Sequence, residues 1–533
     1  DDQGLRHISI NGWPVAGTGT PANMGYPEIQ KMLGHIPALI QGGPKSCLVV
    51  GFGSGGTTWA LSLYHPDTLQ VVELVDAVID AAPYFDATNH GVLNKPFVNV
   101  VLDDGRHYVA VNPRKWDVIA VDSVDPKFSG NGNLYSREFF EACKNRLTDN
   151  GVLAVWLPYF QLSPDANRML ARTFVSVFPN ATLWFTRYAT YTLLIGSVNP
   201  PRIDYDHLAS LLANDAIAAD LADLYVSGPA DILECFAMDG ATLKAYGGTG
   251  PLNTYDDPRV EFFKTRWSGP EYKYKNLTDM EALIQPPWIG LEITGLTPAR
   301  KEELRNRHAV FGHIINALRY FTLQEKQKRH GELVKAYLED RNHRGVQYLL
   351  GVSPLQQGDK KLYAYSLLNL GVSLMNLDRL DESISVLDKS AAEDPDNPVV
   401  WGKMTEAEGK AENWAGAIAP ARKLRELNPG DPIARFNLGI TFFKTDELDS
   451  ARQELNQALQ LRPSFSAVGA WLKLIDLRQD RKMDPVDRAL NIANVYVMLG
   501  DIKSARRWGK IALEKDPNNP HAKSLLEQTA GIE

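Results

Sequence analysis

The sequence predicts a doubly wound α/β domain, a seven-stranded Rossmann-like sheet with a small N-terminal β element, followed by an all-α repeat solenoid. Three observations carry this. Between residues 45 and 197, short runs of β-branched and apolar residues alternate with amphipathic stretches. Near residue 300 the hydrophobic period changes from strand-like to helical. Beyond that point, prolines recur at a fixed spacing.

The N-terminal run LRHISINGWPVAG reads as a hairpin turning at Asn11-Gly12, since Asn-Gly supplies the positive φ of a type I′ loop. Residues 1–44 are therefore set apart as a β element and a segment that closes the site. Residues 45–199 follow as CLVVGFG, TTWALSLY, LQVVELV, VIDAAPYF, FVNVVL, WDVIAVDS, SREFFEACKNRL, GVLAVWLP, ATLWFTRY and YTLLIGS. Strands that are apolar throughout and separated by helices indicate a parallel sheet covered on both faces. The tight link at Ala189 and Thr190 predicts that the last two strands form an antiparallel hairpin at the sheet edge. Residues 200–299 are mixed, rich in Pro, Gly and aromatics, with PLNTYDDPRVEFF as their most distinctive string. They read as a lobe against the sheet, and residues 300–363 as a helical connector.

Pro395, Pro429 and Pro463 lie 34 residues apart, which places repeats at Ala364, Pro398 and Pro432 and a further one at Val486. That is the period of the tetratricopeptide helix pair, so residues 364–533 are assigned to such repeats, with an irregular helix between 464 and 485. Ile433, Phe436, Ile440 and Phe443 are expected to line a concave groove for a protein partner.

With 56 Lys+Arg against 64 Asp+Glu, the formal charge of −8 provides no global cationic field, so nucleic acid is not an expected partner. Cys47, Cys143 and Cys235 are odd in number and widely spaced, and they read as reduced, buried residues. The histidines, His7, His35, His90 and His107 among them, show no metal-ligand spacing, and no metal is expected. No stretch reaches the ~18 to 20 apolar residues of a membrane span. The chain begins with Asp1 rather than Met, so the lack of a leader in it says little about the whole protein. The compartment is left open, with a cytoplasmic soluble portion, tethered to a membrane in the full-length protein, as the expectation.

The loop Gly51-Phe52-Gly53-Ser54-Gly55-Gly56 follows a strand and precedes a helix, where glycines let backbone approach a ligand. A tight turn that merely needs glycine would read the same way. Glu73, at the end of the next strand, is placed to accept the hydroxyls of a ribose, or else to cap the following helix at the surface. Asp103-Asp104 and Asp122 with Asp125 end the third and fourth strands, and carboxylates at such ends converge in one crevice. Crowded carboxylates push one pKa up, which suits a general base.

The strings GYPEIQKMLGHIPAL, VVGFGSGG, VVELVDAV, LDDGRHY, VDSVDP, NLYSREFFE and GVLAVWLP resemble the spermidine synthase family of polyamine aminopropyltransferases across about residues 1–197. Bacterial members of that group, often preceded by a membrane-embedded half, also carry the PLNT string. The resemblance implies that Gly51, Gly53, Ser54, Gly55, Glu73 and Asp103 bind the nucleoside and that Asp104 contacts adenine. Asp122 would deprotonate the amine and Asp125 hold its distal cation. Tyr26, His35 and Tyr135 would contribute to substrate binding. It further implies decarboxylated S-adenosylmethionine or S-adenosylmethionine as co-substrate, a polyamine or other small amine as acceptor, and a homodimer.

Ser54 stands where spermidine synthases carry Asp, Met24-Gly25 where they carry an acidic pair, and Trp156 where they carry Gln. Ser54 favours S-adenosylmethionine as donor, whereas Asp122 and Asp125 favour aminopropyl transfer, which is the leading expectation. S-adenosylmethionine-dependent methyl transfer and a non-catalytic nucleoside-binding scaffold acting through the repeats are the alternatives.

Overall fold

The computed structural model describes residues 6–10, 13–18, 26–122, 126, 128–187, 191–262, 270–353 and 358–530. They belong to two compact units, residues 1–350 and residues 351–533.

In the first unit, strands β1 (His7–Ile10) and β2 (Trp13–Gly17) pair antiparallel with an irregularity between Ile8 and Ser9. The Asn11-Gly12 turn expected between them lies outside the described residues. Helix α1 (Tyr26–Gln41) leads into β3 (Ser46–Val50), and α2 (Gly56–Ser62) into β4 (Thr68–Glu73). The sheet continues with β5 (Val98–Leu102), β6 (Trp116–Val121), β7 (Leu147–Leu157), β8 (Thr182–Phe185) and β9 (Thr192–Ser197). Three short strands follow: β10 (Arg202–Asp204), β11 (Phe236–Met238) and β12 (Glu292–Thr294).

The main sheet runs β11-β8-β9-β7-β6-β3-β4-β5. Strands β3 to β7 are parallel, and β8 and β9 form the expected antiparallel hairpin, β9 pairing with β7. The joint at Ala189 and Thr190 lies outside the described residues. The seven expected strands gain an eighth, β11, antiparallel to β8. Its three residues are too few to show a period, so the sequence held no sign of it. Strands β3, β4 and β6 are almost wholly buried, which is why their sequences are mostly apolar; β5, at the edge, exposes Asn99, Val100 and Leu102. The strand order reverses between β3 and β6, opening the crevice that such sheets use for ligands.

Helices α1 and α2 approach closely because Gly34 has no side chain. A Cβ there would lie 2.6 Å from Ala60 Cβ and 3.0 Å from the Thr57 carbonyl oxygen. The contact lays α1 across the start of α2, directly above the glycine loop.

Strands β10 and β12 form a small parallel sheet of their own in the lobe. The helices Pro298–Thr322, Lys326–Glu339 and Arg344–Leu350 also belong to the first unit, so the boundary at 350/351 falls inside the stretch read as a connector, 300–363. A buried ion network ties them in. The Arg187 guanidinium contacts Glu234 and, at 3.0 Å, Asp231; Arg307 reaches Asp340 at 2.9 Å and Asp231 at 3.4 Å. The Val346 N–H donates to His343 Nδ1, which leaves the ring proton on Nε2, 3.1 Å from Glu234. Seven residues scattered between 187 and 346 carry no local pattern, so this link was invisible in the sequence. Cys47, Cys143 and Cys235 are buried and unpaired, and burial pushes all three thiols up, Cys235 to about 12.

The second unit is helical throughout its described residues. Helices Lys360–Asn376 and Leu380–Glu393 form the first hairpin, Pro398–Lys410 and Trp414–Leu427 the second, and Pro432–Lys444 and Leu448–Leu461 the third. The single helix Ser466–Gln479 precedes a fourth pair, Pro485–Met498 and Ile502–Lys515, and a last helix, Pro520–Gln528. Asp378, Glu412 and Asp446 occupy the left-handed region at the same point of successive hairpins, 34 residues apart. Gly439 packs against Leu455, where a Cβ would come within 2.8 Å of Leu455 Cγ.

The expected apolar groove is largely filled from within the unit. Phe443 is buried edge-on to Trp471 at 5.1 Å, and Phe436 packs on Phe465 at 4.8 Å, so the irregular helix and its approach cover them. Tyr365, Val399 and Ile433, each the second residue of its repeat, stay exposed. Among the described residues no helix is long and apolar enough to cross a membrane.

Candidate functional site

The C-terminal ends of β3, β4, β5 and β6 are stitched together by backbone hydrogen bonds. The Gly51 N–H donates to Val72 O (2.8 Å), Asp103 N–H to Glu73 O (3.0 Å) and Asp122 N–H to Val50 O (2.9 Å). The glycine loop and three of the acidic positions therefore share one rim. Gly55 has a positive φ of 85°, and a Cβ there would lie 2.5 Å from the Phe52 ring and 2.7 Å from Asn89 Cβ. Only glycine fits this turn.

Glu73 is nearly buried, its Oε2 accepting from Phe52 N–H at 2.8 Å and its Oε1 from Val75 N–H at 3.0 Å. A carboxylate offers about four acceptor sites, so both oxygens keep capacity for a second donor such as a diol. Glu73 thus shapes the loop as well as facing the crevice. Beside it, Leu74 and Val75 are exposed, as is Leu102 at the end of β5. Apolar surface next to a buried carboxylate suits the face of an aromatic base.

Asp104 is the N-cap of the helix Gly105–Val111, accepting from Arg106 N–H and pairing with the Arg106 guanidinium at 2.9 Å. The hydrogen bond from Arg106 holds its carboxyl below the usual range. Asp103 accepts from Asp104 N–H and pairs with His107 at 2.9 Å.

Asp122 is the most perturbed of the group. Burial pushes its carboxyl up to about 7; hydrogen bonds from Thr57 and Gln30 act the other way, and the charge of Glu73 adds to the rise. Thr57 Oγ1 lies 2.9 Å from Asp122 Oδ2 and Gln30 Nε2 lies 3.4 Å from it. Ser54 is fully buried, and its hydroxyl donates to Gln30 Oε1 at 2.7 Å. Thr57 Oγ1 is also 3.1 Å from the Gln30 carbonyl. Gln30 and Thr57 are thus part of the site, although neither was singled out from the sequence. A glutamine among the apolar Ile29, Met32 and Leu33 of that helix was the available signal.

Other expected residues fall elsewhere. Asp125 and the side chain of Tyr26 lie outside the described residues. His35 is fully buried, with Nδ1 2.9 Å from Tyr64 Oη and Nε2 2.9 Å from Asp220 Oδ2. Both ring nitrogens are occupied, so His35 stays a core residue that anchors α1 to the lobe, and the substrate-binding role expected of it is not supported by its position. Tyr135 is buried and its hydroxyl donates to Trp156 O at 3.1 Å. Its turn is clamped by the PLNT string: Asn253 Nδ2 donates to Gly132 O (2.8 Å) and Tyr135 O (3.2 Å), and Glu261 accepts from Gly130 and Gly132 N–H. The string thereby anchors the turn 130–135.

Away from this crevice, Asp231, Glu234 and His343 place ligand atoms within 4.8 Å of one another. Histidine spacing gave no hint of this, His343 lying 109 positions from Glu234. Arg187 and Arg307 already counter the charge of these acids.

A family model described as "Spermine/spermidine synthase domain" matches residues 27–197, and tetratricopeptide repeat models match residues 364–397 and 406–464. Polyamine aminopropyltransferase 1 of Pseudomonas aeruginosa is 33% identical over 148 residues, 27% of this chain and 51% of its own. The polyamine aminopropyltransferase of Nitrosomonas europaea is 37% identical over 142 residues, 26% of this chain and 43% of its own. The chain spans about half the length of the curated relatives it matches. Among solved structures, a spermidine synthase in complex with the transition state analogue AdoDATO aligns with a TM-score of 0.32 at 25% identity, covering 36% of this chain and 66% of that one. The spermidine synthase from Thermotoga maritima aligns with a TM-score of 0.32 at 24% identity, covering 36% and 65%.

Proposed function

From the premise that this chain carries a spermine/spermidine synthase domain followed by tetratricopeptide repeats, we propose that it transfers an aminopropyl group from decarboxylated S-adenosylmethionine to a polyamine-type amine. The observation that carries the reading is Asp122: a carboxylate at the switch point of the sheet, beside the glycine loop, with a proton affinity near neutrality. Its relatives' name, polyamine aminopropyltransferase, agrees with that chemistry.

The reaction asks little of the protein, because a sulfonium is already an activated leaving group. The acceptor nitrogen attacks the aminopropyl carbon next to sulfur, the carbon–sulfur bond breaks to release methylthioadenosine, and an N–H proton passes to Asp122. Orientation and proton removal are the whole catalytic task. Glu73 would hold the ribose hydroxyls, Asp104 the base, and Asp125 the distal cation of the acceptor. The repeats would bind a protein partner at Tyr365, Val399 and Ile433.

One observation favours a second reading. Ser54 is uncharged and engaged with Gln30, so nothing at that position repels the carboxylate of S-adenosylmethionine, and methyl transfer becomes the alternative.

Calorimetry with S-adenosylmethionine, its decarboxylated form and methylthioadenosine, joined to turnover with putrescine and spermidine, tests both. Aminopropyl transfer requires binding of the decarboxylated donor and formation of methylthioadenosine. Binding of none of the three would leave the repeats as the working surface.

A further inference from the structure

The side chains Ser54, Gln30, Asp122 and Thr57 form a continuous hydrogen-bonded chain, with spacings of 2.7, 3.4 and 2.9 Å. A carboxamide in the middle of such a chain has two orientations, and its neighbours decide between them. When Asp122 is ionised it only accepts, so Gln30 must present Nε2 to it and turn Oε1 toward Ser54, whose hydroxyl then donates. When Asp122 carries a proton it can donate to Gln30 Oε1. The amide then turns over, and the same hydroxyl accepts from Nε2. Thr57 behaves alike: it has one proton and two acceptors in reach, Asp122 Oδ2 and the Gln30 carbonyl.

A hydroxyl at position 54 serves either orientation. A carboxylate there could only accept, would hold Nε2 to itself, and would leave Gln30 Oε1 facing Asp122, an arrangement that is favourable only with a proton between them. The other charged group acting on Asp122 is Glu73 at the end of β4; α2 carries no ionisable side chain and α1 presents Gln30.

We propose that Gln30 is a positioning residue whose amide follows Asp122 between its ionised and protonated forms, and that the serine at position 54 is what permits this. The proposal deepens the reading of Asp122 as the base and rests on it. It makes the departure at position 54 a matter of proton transfer as well as of donor charge.

The test reads Asp122 itself, so it does not depend on turnover. Full-length protein labelled with 13C at the aspartate carboxyl is titrated from pH 4 to 10, the Asp122 resonance being assigned by its loss in Asp122→Asn. Gln30→Met, which keeps length without an amide, should raise the midpoint by about half a unit to one unit, a three- to tenfold fall in acidity. Ser54→Asp should raise it further in the wild-type background than in Gln30→Met, because charge acts in both and the amide only in the first. Equal shifts in the two backgrounds would overturn the proposal. Should Gln30→Met fail to fold, the side-chain 15N shift of Gln30 in the unmutated chain answers the same question: it should titrate with the Asp122 midpoint, and a shift independent of pH would overturn the proposal. If the coupling is found but no donor is turned over, the hydrogen-bonded chain stands and the aminopropyltransferase reading falls.

Discussion

Replacing Asp122 with Asn should make the protein more stable at alkaline pH while removing its activity. The folded-state carboxyl is raised from 3.8 to about 7. Between those values the folded state therefore holds more protons than the unfolded chain, and stability falls as pH rises. The cost is absent below about pH 4, grows through the window, and is complete above about pH 7. Three units correspond to roughly 4 kcal/mol, of which about 2 to 3 kcal/mol accrues between pH 5 and 8.5. Residue 122 as a whole is only half-buried, and solvent screening reduces the usable figure to about 1 to 2 kcal/mol. Asparagine is isosteric, accepts from Thr57 through its oxygen and has no charge to desolvate, so it escapes the cost. The assay is urea unfolding of both full-length proteins at pH 5 and pH 8.5, followed on the first unit's transition. The advantage of Asn over Asp should be larger at pH 8.5 by that amount. An advantage that does not change with pH, or one that is larger at pH 5, would refute the account of a desolvated base.

Glu73→Ala should weaken methylthioadenosine binding by about 2 to 4 kcal/mol in calorimetry, since it removes charge-assisted hydrogen bonds and also frees the Phe52 and Val75 amides that shape the loop; unchanged affinity would contradict the nucleoside assignment. Gly55→Ala should cost at least ~2 kcal/mol of stability, from an added Cβ that has no room at positive φ, and should lower nucleoside affinity as well, read by thermal unfolding and calorimetry. Arg187→Met should destabilise the first unit by about 3 to 5 kcal/mol, because Asp231 and Glu234 lose their buried counter-ion. A midpoint of urea unfolding within error of wild type would show that the network does not hold the helices 298–350 in place.

The fold and the repeats were legible because both are written locally. A buried parallel strand must be apolar along most of its length, as CLVV and VIAV are, and a stacked helix pair must return its small residues and prolines every 34 positions. Acidic residues at strand ends were legible for the same reason: strand, turn and carboxylate follow one another in the chain. So Gly51, Glu73, Asp104 and Asp122 could be named before any coordinates, and the four strand ends that carry them are joined to one another by backbone hydrogen bonds in the structure.

What the sequence by itself determined is thus the set of elements and the chemistry at their ends. The tertiary structure alone decided which of those groups face each other and in what environment. Ser54 and Asp122 look unrelated at 68 positions' separation, and only the close crossing of α1 on α2 at Gly34 brings Gln30 between them. His35, in a string that suggested a substrate contact, is enclosed by Tyr64 and Asp220 because the lobe folds back over α1. The groove expected from Phe436 and Phe443 is filled by the helix that breaks the repeat. The reason is common to all three. Local periodicity reports how a residue sits relative to its own element, whereas desolvation, proton affinity and exposure depend on residues that arrive from elsewhere in the chain.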